Sequence, residues 1–209
     1  PDRPSLENAA PAIRRYELPT RGASGGLLFL RGWLPERARA SVLVIHGFAE
    51  HSGRYELVGQ WLAERGFAVH AYDHRGHGKS AGPRCYVDRF DDYLDDLAIV
   101  LGQVRAEAPD DPLFLIGHSM GGLIVATFAR ERRPNVTGVV LSGAALAVPE
   151  NKGPIRIARL IRAVLPRLRL DAGLDLQGLS TDPHVLEAYL ADPLVERRMT
   201  ASLAVELVA

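Results

Sequence analysis

The feature that most constrains this chain is a succession of short apolar runs, each followed by a turn and a stretch with helical spacing. Ser41–His46 (SVLVIH) is apolar at nearly every position, as a strand covered on both faces of a parallel sheet must be. Tyr55–Arg65 sets Leu57, Val58, Trp61 and Leu62 at helical spacing, and Gly66 closes it. Phe67–Tyr72 reads as the next strand. Phe90–Glu107 reads as an amphipathic helix with an acidic outer face, stopped by Pro109. Leu113–Ile116, Met120–Arg133 and Val136–Leu141 repeat the order strand, helix, strand. Repeated units of this kind imply an α/β fold: a mostly parallel sheet with helices on both faces. Leu27–Leu34 is a further strand ahead of the series, and residues 1–26, rich in Pro, Arg, Ala and Gly without a sustained period, read as an extended arm.

The pattern changes after Ser142, so the chain divides into residues 1–26, a core over 27–142 and a helical region over 143–209. Ile155–Leu170 carries Ile157, Leu160, Ile161, Val164, Leu165 and Leu168 on one face, with Arg156, Arg159, Arg162 and Arg169 elsewhere and a kink or division expected at Pro166. This basic amphipathic stretch suits peripheral contact with an anionic membrane surface, or simple packing of its apolar stripe on the core. Val185–Leu190 and Pro193–Val208 are expected to be helical, with Asp182 and Asp192 as N-caps, each followed by Pro. No strand is expected in this region.

Composition excludes several classes. Twenty-five basic and twenty-five acidic side chains leave no net charge, which gives no support for nucleic-acid binding. The single cysteine, Cys85, permits neither an internal disulfide nor a cysteine-based metal cluster, and it reads as a loop residue within reach of thiol reagents. No apolar run approaches the roughly 18 residues of a membrane span, and residues 1–18 lack the order of a secretory signal. A cytoplasmic location, with membrane contact from outside the bilayer, is the expectation.

The chemistry concentrates at Gly117-His118-Ser119-Met120-Gly121, followed by Gly122, between a strand and a helix. A serine in so sharp a turn projects its hydroxyl above the sheet, and Gly117 and Gly121 leave room for the tight backbone. The bland alternative is a glycine turn with an unreactive serine. At the end of the neighbouring strand stand His46-Gly47-Phe48. The backbone N–H groups of Phe48 and Met120 are candidates to stabilise an oxyanion, with His46 and Gly47 supporting the loop. Arg75, Gly76, Gly78 and Ser80 lack the spacing of a phosphate loop and read as a structural turn. Asp73 is expected to form an ion pair with a nearby Arg, and Asp88, Asp91, Asp92, Asp95 and Asp96 to form a solvated face rather than a metal site.

Three long motifs now stand in order: His46-Gly47-Phe48-Ala49-Glu50-His51-Ser52-Gly53-Arg54-Tyr55, Tyr72-Asp73-His74-Arg75-Gly76-His77-Gly78-Lys79-Ser80, and Gly117–Gly122. With Thr181-Asp182-Pro183-His184 and Ala191-Asp192-Pro193-Leu194-Val195, they resemble the monoacylglycerol lipases and lysophospholipase-like members of the α/β-hydrolase fold. The resemblance runs from about Leu27 to the end. It implies a serine hydrolase of monoacylglycerols or related lipid esters, with a helical cap over Ser119 and no cofactor or metal. It also implies an Asp and a His on loops after two later strands, and neither can be identified within residues 1–209. His46, His51, His70, His74, His77 and His118 fall in the motif loops, a strand or the elbow, and His184 falls in the cap. A strand ending near Leu141 would leave an open apolar edge, so the C-terminal strands are expected to be missing from this chain or supplied by another polypeptide. Other readings are a carboxylesterase, haloperoxidase or peptidase on the same scaffold, and an inactive hydrolase fragment serving as a binding module.

Overall fold

The computed structural model describes residues 12–147 and 152–208. Residues 1–11 of the expected arm lie outside them. The rest of that arm is corrected: β1 (Ile13–Arg21) is a nine-residue strand, paired antiparallel along its whole length with β2 (Leu27–Pro35). Its outer face meets solvent and its inner face is only partly covered, so the apolar alternation that marks a strand is weak. The stronger sign was the intervening turn, where Gly22 and Gly26 are joined by a 2.8 Å backbone hydrogen bond and Gly25 takes φ +81°.

β3 (Ala40–Ile45) is buried at every residue, as its unbroken apolar run required. With β4 (Phe67–Tyr72), β5 (Leu113–His118) and β6 (Gly138–Ser142) it completes a six-stranded sheet ordered β1-β2-β4-β3-β5-β6. β3, β4, β5 and β6 run parallel, and β2 joins β4 antiparallel. Their register puts Tyr72, Ile45, Gly117 and Leu141 side by side, so the loops after four parallel strands leave the sheet from one line.

Strand periodicity divides the core. Val42, Val44, Val69 and Ala71 face α1 (Glu56–Ala63) together with Trp33, whose indole would stand 2.5 Å from a Cβ at Gly59. Leu43, Ile45, Tyr72 and Leu115 face α2 (Asp91–Glu107) and α3 (Met120–Arg132), meeting Leu97, Val100, Ile124 and Phe128. Helices therefore cover both faces. β6 is the outer strand on its side, and Val139, Val140 and Leu141 are exposed there, Val140 by 52%.

One residue of the acidic run departs from expectation. Asp91 and Asp95 lie on the surface and pair with Arg132 at 3.2 and 2.9 Å. Asp96 is buried: it accepts Arg75 Nε at 2.6 Å, Arg75 Nη2 at 2.8 Å and the Ala23 N–H at 2.8 Å. Its helical position turns it inward against the Arg75 loop and the β1–β2 turn. No group of side chains among the described residues could hold a metal ion.

Beyond residue 147 the division expected at Pro166 is present, while the helix expected to run on to Leu170, the expected absence of strands and the helix expected from Pro193 are corrected. α4 (Lys152–Val164) stops short of Pro166, which lacks an amide donor and drives the preceding residue out of helical geometry. The chain continues into β7 (Arg169–Asp171), paired antiparallel with β8 (Arg198–Thr200). Pro193 opens a turn rather than a helix: Asp192 accepts Leu194 N–H through its carboxylate at 2.8 Å and Val195 N–H through its carbonyl at 3.2 Å. α5 (Pro183–Ala191) is capped as expected by Asp182, which accepts the His184 N–H. α6 (Ala201–Glu206) brings Leu203 into the main core. Thr200 and Ser202 hydroxyls donate to the carbonyls of Cys85 and Val87, both at 2.6 Å, and fasten it there. No helix among the described residues is long and apolar enough to cross a membrane.

Removing Asp96 leaves the Ala23 N–H without its acceptor and Arg75 with only the longer 3.6 Å pair to Asp92. Asp96→Ala should therefore lower the unfolding free energy by about 3–5 kcal/mol in denaturant melts. Asp95→Ala, on an exposed pair, should cost less than about 1 kcal/mol in the same assay.

Candidate active site

Ser119 links β5 to α3 with φ 51° and ψ −117°, a conformation that side-chain-bearing residues rarely adopt. Such a backbone costs on the order of 1–3 kcal/mol and persists only where its surroundings enforce it. Here the Ser119 N–H donates to the Ser142 carbonyl at 3.0 Å, and the Ser119 carbonyl accepts the N–H groups of Leu123 and Ala145, both at 3.1 Å. The flanking glycines are required by contact. A Cβ on Gly117 would stand 2.5 Å from the Gly121 carbonyl oxygen, and one on Gly121 would stand 2.2 Å from that of Ile45 and 2.4 Å from that of His46. The start of α3 therefore lies directly on the backbone at the end of β3.

The same approach brings the second motif to Ser119. A Cβ on Gly47 would be 3.0 Å from Ser119 Cβ. The Gly47 N–H is taken by the Glu50 carboxylate, which also accepts the Tyr55 hydroxyl at 2.9 Å, so it is not a donor for a substrate. The Phe48 N–H has no acceptor among the described residues. Met120 opens α3, where the first N–H groups lack helical partners and the helix dipole is positive. Gly47 thus lies against Ser119, with Phe48 and Met120 next to them in the chain.

His46 is buried, and both ring nitrogens are occupied: Nδ1 donates to the Gly47 carbonyl at 2.7 Å and Nε2 accepts the His74 N–H at 3.0 Å. Burial, reinforced by His77, holds its pKa well below the usual histidine value, so the ring is neutral. His118 points its Nδ1 at Ser142, 3.0 Å from the carbonyl. His184 stands exposed on α5, 3.8 Å from Glu187. None of the described hydrogen bonds joins a histidine to the Ser119 hydroxyl.

Other residues of the motif loops behave differently from expectation. Asp73 makes no ion pair with arginine among the described residues. It is buried, and it accepts the Ser52 N–H at 2.7 Å, the Ser52 hydroxyl at 2.6 Å and the Lys79 N–H at 2.7 Å. Arginine enters one step removed, through Arg31 Nε on Ser52 Oγ at 2.9 Å. The turn Asp73–Ser80 supplies one inward-pointing amide, from Lys79, and Ser52 supplies the other two donors to the carboxylate. Cys85 is fully buried and its thiol is pushed up to about 12 by burial, so it offers no handle to a thiol reagent. One contact went unforeseen: His51 Nε2 donates to Asp192 Oδ2 at 2.8 Å and joins the first motif to the turn after α5. Its separation of 141 residues gave no local signal.

Against known proteins, residues 36–209 match the family model described as serine aminopeptidase, S33. The chain is 33% identical over 198 residues to the monoacylglycerol lipase of Mycolicibacterium smegmatis, covering 93% of this chain and 70% of that protein. It is 38% identical over 177 residues to the monoglyceride lipase of Rattus norvegicus, covering 83% of this chain and 58% of that protein. The crystal structure of Paleococcus ferrophilus monoacylglycerol lipase superposes with a TM-score of 0.69 at 31% identity, over 94% of this chain and 68% of that one. The chain thus spans between 58% and 70% of the length of these relatives. Sheet, elbow and helices together are those of an α/β-hydrolase fold.

Two predictions follow from the backbone and the histidines. Ser119→Gly should melt higher than Ser119→Ala, by about 1 kcal/mol or some 2–4 °C, because glycine relieves the positive φ. Burial lowers the pKa of His70 and of His77 to about 4, and those of His46 and His74 lie well below normal. The unfolded chain, titrating near 6.5, then binds protons that the folded one refuses. The histidine contribution should be flat from about pH 6.5 to 8 and stability should fall between about 6.5 and 4, by up to about 1.4 kcal/mol per pH unit for each histidine. Urea melts of His70→Asn should show a slope shallower by about one proton.

Proposed function

Since this chain belongs to the serine aminopeptidase S33 family of α/β-hydrolases, we propose that it is the nucleophile-bearing part of a serine ester hydrolase acting on monoacylglycerols or related lipid esters. The observation that carries this reading is the strained Ser119, with Gly47 packed against it and the Phe48 N–H uncommitted. In the proposed reaction Ser119 Oγ attacks the ester carbonyl carbon and its proton passes to a general base. The Phe48 and Met120 N–H groups hold the negative oxygen of the tetrahedral intermediate. Collapse breaks the bond to the alcohol, which leaves with the proton, and water then releases the fatty acid from the acyl-serine. The base and the acid that orients it are a His and an Asp outside residues 1–209 in this reading. No cofactor enters.

Residues 143–209 are assigned to a helical cap beside the site. Supporting this, α4 leaves Ile157, Leu160 and Val164 exposed alongside the exposed Arg156 and Arg159, a surface suited to contact with an anionic bilayer from the cytoplasmic side. The His51–Asp192 hydrogen bond supports a cap that reaches the oxyanion loop.

The test, made on the full-length protein with the segment that carries the base, is intact mass before and after a fluorophosphonate probe. One adduct, abolished by Ser119→Ala, is expected. Turnover should rank monoacylglycerol above simple esters and simple esters above amides. Labelling that survives Ser119→Ala, or amide turnover that exceeds ester turnover, would refute this assignment.

A further inference from the structure

We propose that His46 and His74 form an uncharged two-histidine clamp that aims the Phe48 N–H at the substrate carbonyl, making both of them positioning residues for the oxyanion. The inference rests on the ester-hydrolase reading and adds the device that sets its geometry. The two rings follow the ends of adjacent parallel strands, where Ile45 and Tyr72 are paired, and their centroids lie 4.2 Å apart. They are joined twice: the His74 N–H donates to His46 Nε2 at 3.0 Å, and His74 Nε2 donates to the His46 carbonyl at 2.9 Å.

Those contacts decide where the protons sit. A backbone N–H directed at His46 Nε2 leaves that nitrogen without a proton, so the proton is on Nδ1, where it reaches the Gly47 carbonyl at 2.7 Å. His74 is the opposite tautomer, with its proton on Nε2 and a bare, buried Nδ1. Protonating either ring would put an N–H against a donor or into an unpartnered site, and burial already holds both rings neutral.

The decisive bond is the one to Gly47. Its carbonyl and the Phe48 N–H belong to the same planar trans peptide, so they point in opposite directions. Fixing the oxygen on His46 therefore fixes the direction of the hydrogen. The same bond polarises the peptide and makes that N–H a stronger donor. The Glu50 carboxylate holds the preceding amide, and Gly47 rests against Ser119, so little freedom remains for the peptide to rotate.

Asparagine and glutamine separate this role from simple packing. An Asn amide places its N–H where an imidazole carries Nδ1, and a Gln amide places it where an imidazole carries Nε2. Turnover of the purified full-length protein, base-bearing segment included and normalised by fluorophosphonate titration of reactive sites, should retain more in His46→Asn than in His46→Gln. At His74 the order should reverse, with Gln above Asn. The expected separation is at least about tenfold in kcat, rising toward about 100-fold, with KM changing less than about threefold. Thermal melting is measured alongside. The same order at both positions, tracking melting temperature, overturns the clamp while leaving the hydrolase reading intact. If one position yields no folded variant, the order at the other decides alone. Wild-type protein that takes no label overturns the hydrolase reading and the clamp together.

Discussion

A carboxylate shut away from water organises the loops of this protein. Asp73 stands at the end of β4, and its two oxygens accept a backbone amide and a hydroxyl from Ser52 and a backbone amide from Lys79. Its main chain is fixed as well, through Phe29 on one side and the Ser80 hydroxyl on the other. Each of those donors would be left unsatisfied without it, at about 1–3 kcal/mol apiece. Asp73 therefore holds the turn that enters α1 and the loop after β4 through its side chain, and the hairpin strand β2 through its main chain. His51 and His74, which reach toward the α5 turn and toward His46, take their positions from this anchorage.

The register of the parallel strands makes such economy workable. Tyr72, Ile45 and Gly117 stand on one line, so the segments that follow them begin as neighbours and need only short side chains to meet. Histidine is used here as an uncharged part with one donor and one acceptor. In His46 both ring nitrogens are directed at backbone groups of different strand ends, and His74 returns one such bond through Nε2. Their neutrality comes from burial, and their tautomers from the amides around them.

Most of the architecture was legible because its signals were local. The run Ser41–His46 is apolar on both faces because β3 is central, and Gly117–Gly122 is small because backbones touch there. What escaped had distributed causes. β1 is an edge strand with one face in solvent, and so lacks alternation. β7 and β8 are three residues each, too short for any periodicity, and they exist because Pro166 and Pro193 interrupt stretches that look helical. Asp96 carries the same residue type and spacing as its exposed neighbours, and only the fold sets Arg75 opposite it. Cys85 is the loop residue it seemed, but its burial escaped, since Thr200 at the start of α6 reaches its carbonyl from 115 residues away. The site separates in the same manner. Ser119, Phe48 and Met120 were readable from motif chemistry, whereas the Asp73 and His51 contacts depend on which loops become neighbours.

Gly121 has a consequence for how such a protein can diversify. Its α-carbon presses on the carbonyls of Ile45 and His46, so the spacing between the serine corner and the loop carrying Phe48 is set by main chain against main chain. Side-chain substitutions elsewhere cannot adjust that spacing by small steps, because no side chain lies in the gap. Mutational drift is thereby partitioned. Side chains around the site can be rebuilt residue by residue, while the corner at Ser119 is inherited as a single rigid piece.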